Sequence, residues 1–326
     1  MMEPRATAST DAVGNAPAVS MLYHPTVAVS DLEAARAWYR RVFARDDYRW
    51  ADAFDLSSLA PDYPIDYSFY AFVADLHIVF LSPKLLTRGA LQGQDRYDGI
   101  SDRLAGTSWY TDDAAALCEH LAELGIRTHD QKQRLVTAGT PPVSSLASDF
   151  YVAFTYPEDV AFRYEFAEIG SRHRAKYAKH ADPRLDDPRY RQPAADDPLR
   201  LIGASHHTFL TSDPRAAEHL LVDALGGAIV GRRANAELGG TSTFIQVGKD
   251  LFEYVALQPG SPLAGRVAAG RDDYYGIGFI TDDITAATEH LRAIGVGYES
   301  RDDDVIVIEP ENGFGAEWRF SQRPPI

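Results

Sequence analysis

A single cysteine, Cys118, stands among 326 residues, so no disulfide can close within the chain. No apolar run approaches the roughly 20 residues that a helix needs to cross a bilayer, and no membrane partner is expected. Basic residues are scarce too: 32 Lys and Arg against 47 Asp and Glu leave a formal charge of −15. Binding a phosphate backbone needs clustered cations to displace counterions, so nucleic acid is not an expected partner either. The stretch before about Ser20 lacks both a basic start and an apolar core, and does not read as a secretory signal. It is expected to be a disordered tail (1–20) on a cytoplasmic protein.

What the chain does have is repetition. At this length two domains of about 150 residues are the prior, each able to bury its own core. Tyr23–Phe43, YHPTVAVSDLEAARAWYRRVF, and Ala204–Gly227, ASHHTFLTSDPRAAEHLLVDALGG, both read as a strand followed by a capped helix. His24 stands seven residues before Asp31, and His206 seven before Asp213. In the first helix Leu32, Ala35, Trp38, Tyr39, Val42 and Phe43 recur at three and four, the spacing of a buried stripe. In the second, Leu220, Leu221, Ala224 and Leu225 make the stripe and Gly226 the stop.

Strand-like runs follow each helix: DYSFYAFVA and LHIVFLS with Asp75 in a tight turn between them, then TSTFIQVG and LFEYVAL in the second half. A further helix recurs at an offset of 170 residues, DDAAALCEHLAELGI from Asp112 against DDITAATEHLRAIGV from Asp282. Asp caps, an apolar stripe and a terminal Gly account for that match without function, so Glu119, His120, Glu289 and His290 are expected on a solvated helix face. Residues 171–200 are dense in charge and Pro, as an interdomain linker would be. This delimits domains at 21–170 and 201–326.

In order and repeated, HPTVAVSDLEAARAWY, HHTFLTSDPRAAEHL, the two DD…EHL…G helices, YPEDVAFRYEF and EPENGFGAEWRF resemble the vicinal oxygen chelate superfamily. That superfamily includes glyoxalase I, extradiol dioxygenases, fosfomycin-resistance transferases and bleomycin-resistance proteins. The resemblance implies an α+β fold: four βαβββ units paired into two half-open, mixed β-barrel domains of glyoxalase type. It further implies a divalent transition metal (Fe, Zn, Ni, Mn or Co) in the cup, held from the first and last strands of each unit.

Carried over, the ligand positions are His206, Glu253 and Glu317, with Gly276 at the fourth; a second, weaker set is His24, His77 and Glu165, with Gly106 at the fourth. An imidazole and two carboxylates suit a divalent first-row ion. Strand alternation sets Glu253, Val255 and Leu257 on one face and Phe252, Tyr254 and Ala256 on the other. Each residue also has a structural explanation. Glu253 can pair with Arg or Lys, Glu317 with Arg319 two residues on, and His206 with a neighbouring backbone. His77 and Glu253 coincide when measured back from the prolines that end their strands, and differ by one when measured from Asp75 and Asp250.

Three functions follow from the resemblance. The first is a metal-dependent lyase or isomerase of glyoxalase type, in which Glu253 or Glu317 moves a proton of a small substrate with adjacent oxygens. Tyr274, Tyr275, Phe314 and Trp318 would wall that substrate. The second is an extradiol ring-cleavage dioxygenase, favoured by two halves of two units and opposed by Gly276 and by DDDVIVIEPENGFGAE, which lacks the His and Tyr of the family's signature. The third is a metal-free protein that binds a drug or metabolite, which Gly106 and Gly276 favour. Exposed sheet edges in this fold are commonly covered by another unit or subunit, so a homodimer is compatible with all three.

Overall fold

The computed structural model describes residues 19–49, 64–88, 97, 99–100, 102–144, 149–171, 182–187, 190, 196–267 and 270–326. The expected tail lies outside them up to residue 18, while Val19 and Ser20 already belong to a strand. Much of the 171–200 linker lies outside them as well.

The first half runs β1 (Val19–Ala28), α1 (Leu32–Phe43), β2 (Asp47–Arg49), β3 (Ser68–Val73), β4 (Leu76–Leu81), β5 (Arg103–Thr111), α2 (Ala114–Glu123), β6 (Thr128–Asp130), β7 (Leu135–Val136), β8 (Phe150–Thr155) and β9 (Tyr164–Ile169). The second runs β10 (Leu201–Thr211), α3 (Arg215–Glu218, continued by a π turn His219–Ala224), β11 (Ala228–Asn235), β12 (Gly240–Val247), β13 (Asp250–Leu257), β14 (Asp273–Thr281), α4 (Ile284–Ala293), β15 (Glu299–Asp302), β16 (Val305–Ile308) and β17 (Glu317–Ser321). The first sheet has the order β2-β3-β4-β1-β5-β9-β8-β6-β7, and the second β11-β12-β13-β10-β14-β17-β16-β15. Neither closes. In each, the two first strands meet antiparallel at the centre, β1 with β5 and β10 with β14, and each pairs on its other side in parallel with the last strand of its own unit. These are four βαβββ units in two half-open sheets.

The local signals act as expected. Asp31, Asp113 and Asp283 cap their helices by accepting from the backbone N–H three residues on. All six stripe positions of α1 are buried. Gly226 turns the chain out of the π segment at φ +71°, a backbone that favours glycine.

The two halves do not keep separate cores. One apolar cluster joins Phe80, Trp109 and Tyr164 of the first sheet to Phe252, Tyr254, Phe279 and Trp318 of the second, with α1 between them. Trp38 of α1 packs on Trp318, and Phe43 on Phe279. The Tyr164 and Tyr254 hydroxyls meet at 2.6 Å in the interior. Each sheet thus turns its apolar face to the other, and buried residues of both halves belong to one cluster.

The repeated Glu-His-Leu helices join the halves in the same way. His120 Nε2 of α2 donates to Ala224 O at 3.1 Å, and His290 Nε2 of α4 donates to Val42 O at 2.8 Å. Each histidine satisfies a terminal carbonyl of a helix in the other half, which the helix itself leaves unpaired. Glu119 and Glu289 are exposed as expected, but the histidines are half-buried in the junction and do not belong to a solvated face. Within the linker, Arg184 is buried, pairing with Asp182 and donating to Asp75 O and Tyr23 O, so this part of the linker is packed into the first half. Among the described residues no helix is long and apolar enough to cross a membrane.

Candidate functional site

With the apolar faces turned inward, the other face of the second sheet is left for a site. Thr208 on β10 faces Glu253 on β13 and Gly276 on β14, and Gly276 faces Glu317 on β17. These four residues form a row across four strands. His206 lies two residues earlier on the same face, opposite Gly278, which in turn faces Arg319. A Cβ on Gly278 would stand 2.5 Å from His206 Cε1, so the imidazole occupies space that any other residue would claim. A cavity of about 420 Å³ opens here, lined by His206, Thr208, Arg233, Asn235, Glu237, Glu253 and Arg319 among others.

Each charged group in the cavity has its place. Glu253 accepts from Ser242 Oγ at 2.6 Å, Asn235 Nδ2 at 3.1 Å and Thr208 Oγ1 at 3.1 Å. His206 Nε2 is 3.7 Å from Glu253 Oε2, while its Nδ1 lies 3.0 Å from Ser205 Oγ. Burial lowers His206 to about 4, the Glu253 charge opposing only in part, so the ring is neutral at pH 7. Burial raises Glu317 to about 7, although Arg319 pulls the other way. Arg319 is 3.7 Å from Glu317 and binds Glu237 through two bonds, Nη1–Oε1 at 2.9 Å and Nη2–Oε2 at 3.0 Å. Burial alone would raise Glu237, but the hydrogen bonds and charge of Arg319 hold it below its ordinary value.

Of the four aromatic residues expected as substrate walls, one faces the cavity side. Tyr275 packs with Leu210, Leu238 and Val255, and Leu238 itself lines the cavity. Tyr274 and Trp318 are fully buried in the shared core, and Phe314 packs at the junction against Trp38. Alternation turns Trp318 away from the face of Glu317, and a register shift between Thr208 and Phe209 that skips Tyr275 sets Tyr274 beside Phe209 in the core.

The first half repeats the layout with different chemistry. Thr26 faces Val79 and Gly106 as Thr208 faces Glu253 and Gly276, so Val79 stands in the place of Glu253. The alignment of His77 with Glu253 is therefore off by two residues. Glu165 faces Ser108, the counterpart of Gly278, and so corresponds to Arg319; Glu317 corresponds to Arg163. The Glu-Trp-Arg-Phe of one half is Arg-Tyr-Glu-Phe in the other. His24 and His77 do come together, with ring centroids 6.2 Å apart, and Tyr48 Oη is hydrogen-bonded to His77 Nε2 at 2.8 Å. Burial lowers both imidazoles, His77 to about 3.

Solved structures of similar shape agree with this layout. The 2,3-dioxygenase LapB from Pseudomonas sp. KL28 matches over 94% of this chain and 92% of its own, with a TM-score of 0.53 at 12% identity. A variant of homoprotocatechuate 2,3-dioxygenase from Brevibacterium fuscum matches over 96% of this chain and 74% of its own, with a TM-score of 0.52 at 13% identity. The chain has the vicinal oxygen chelate fold. Methylmalonyl-CoA epimerase from Mycobacterium tuberculosis matches 39% of this chain and 91% of its own, with a TM-score of 0.35 at 18% identity. No family model matches the sequence, and no curated protein does.

The residues at the expected metal position of this vicinal oxygen chelate fold do not fit a divalent ion. Three neutral donors already engage Glu253, Gly276 offers no side chain, and Glu317 has a guanidinium beside it. Arg319 sets a fixed positive charge beside Glu317 and Glu237. Among the described residues no three His, Cys, Asp or Glu side chains are gathered for a metal. Thr208, Arg233, Asn235, Glu237 and Ser242 were not singled out from the sequence. Only Thr208 had a signal there, the period of two from His206.

Proposed function

We propose that the second half binds a small polar molecule in the His206 cavity without a metal ion, as the binding and resistance branch of the superfamily does. The observation that carries this reading is Arg319, whose guanidinium lies between Glu317 and Glu237 on the strand expected to supply a metal ligand. A divalent ion there would face a positive charge at short range, and Arg keeps its charge at any accessible pH. His206 offers a neutral imidazole to a guest, and Thr208 and Asn235 add hydrogen-bonding groups fixed by Glu253. Glu253 then acts as an anchor that orients donors, with its own oxygens already engaged. Glu317 lies behind Arg319, outside the lining of the cavity, which removes it from contact with a guest.

Elemental analysis tests this directly. Protein purified without chelator, and again after incubation with Fe(II), Mn(II) and Zn(II), is expected to hold far less than one metal per chain, and to consume no oxygen with catechol. One equivalent of transition metal, lost in both His206→Ala and Glu317→Ala, would overturn the reading and restore the metal-dependent enzyme.

A further inference from the structure

Glu237 sits in the turn between β11 and β12, at residues 236–239, and is the partly exposed partner in its pair with Arg319. Its side chain is 31% exposed and that of Arg319 20%. Arg319 is fixed on β17; Glu237 rides on a turn. Arg301 of β15 also reaches Glu237, Nε to Oε1 at 3.5 Å. Since β11 and β15 are the two outer strands of the sheet, the Arg319–Glu237–Arg301 group spans its open mouth beside His206 and Glu253. Arg323 lines the cavity as well, as does Arg233. The Arg233 guanidinium carbon lies 5.2 Å from the Phe244 ring centroid, and among the described residues Arg233 pairs with no carboxylate.

We propose that the guest of this cavity carries a carboxylate, and that Glu237 is its resident stand-in, held on the Arg319 fork until the guest replaces it. This rests on the metal-free reading of the cavity. A planar fork matches a carboxylate in two parallel bonds, the geometry that Glu237 already displays. Exchange of one carboxylate for another leaves the charge at Arg319 unchanged. A neutral guest that displaced Glu237 would leave a largely buried guanidinium without its strong partner, which is strongly unfavourable. Arg233 provides the attraction at the mouth. Leu238, Val305, Pro324 and Pro325 are the larger apolar residues of the lining, so the rest of the guest is a compact apolar or aromatic body.

The test uses the full chain and sodium benzoate, with benzamide as its neutral isostere, in calorimetric titrations of the wild type and Glu237→Gln. Weakening the stand-in is expected to tighten benzoate binding by about tenfold or more, a factor of ten corresponding to about 1.4 kcal/mol, with no gain for benzamide. Adding Arg319→Lys to Glu237→Gln is expected to abolish the gain. Should that double variant fail to fold by circular dichroism, the contrast between benzoate and benzamide in Glu237→Gln alone decides. Equal benzoate affinity in the wild type and Glu237→Gln, or an equal gain for benzamide, overturns the proposal. Metal content and titrations with EDTA on the same samples separate the two readings. Benzoate binding abolished by EDTA speaks against the metal-free cavity, whereas the benzoate and benzamide contrast speaks only to the carboxylate.

Discussion

Gly278 and Glu317 show how tightly single residues are set around the cavity. A methyl group on Gly278 would collide with the His206 ring, which is itself buried. Gly278→Ala is expected to lose about 1–3 kcal/mol in urea unfolding, the usual cost of overpacking, and to shift the His206 ring resonances by NMR. Glu317 makes a pH-dependent contribution. Its ordinary value is 4.5 and its folded value about 7, because burial disfavours the charge. Between those two pH values the native state keeps a proton that the unfolded chain has lost, so stability falls as pH rises through the window. Glu317→Gln removes this dependence. Its stability relative to the wild type is expected to improve from pH 5 to pH 8, by roughly 3 kcal/mol at most, as read from urea midpoints at the two values. An unchanged difference would show that Glu317 is already ionised in the folded protein.

At the level of elements, the helices were readable and the sheet edges were not. The stripe of α1, the three Asp caps, the Asp75 turn and the Gly226 stop are all local chemistry, and each acts as its residue type dictates. β11 and β15 escaped because both are exposed outer strands with little apolar alternation; Ala228, Ile229 and Val230 are all exposed. A strand without a buried face has no period to read. That gap hid the site as well. Glu237 follows the unrecognised β11, and its meeting with Arg319 depends on how the two ends of the sheet curl together. The approach of His206 to Glu253 and the pairing of Glu317 with Arg319 were legible, since strand order and a spacing of two suffice. The sequence match of α2 with α4 was legible too, but not where its histidines go. His290→Ala is expected to cost about 1 kcal/mol by loss of one hydrogen bond across the junction. His120→Ala should cost a similar amount, and the double variant the sum of the two, since the bonds share no partner.

Across the whole molecule, the two sheets act as one folding body because they bury their large side chains against each other. Tyr164 and Tyr254 report on this directly, one from each half, with their hydroxyls bonded in the interior. Replacing either with Phe strands the other hydroxyl, at an expected cost of about 1–3 kcal/mol, whereas replacing both is expected to be close to neutral. A double-mutant cycle in urea measures the difference, and additive losses would mean that the halves do not meet there as described. One unfolding transition, coincident by tryptophan fluorescence and far-UV circular dichroism, is the matching expectation for the intact chain. The crossed histidine bonds also bear on how the protein is made. His290 closes the end of α1 from 248 residues downstream of Val42. At about 5–20 residues per second on the ribosome, the first helix to emerge waits roughly 10–50 s for that partner. During that interval the aromatic face of the first sheet is a substrate for chaperones and proteases, and slow codons late in the message would lengthen its exposure more than slow codons early on.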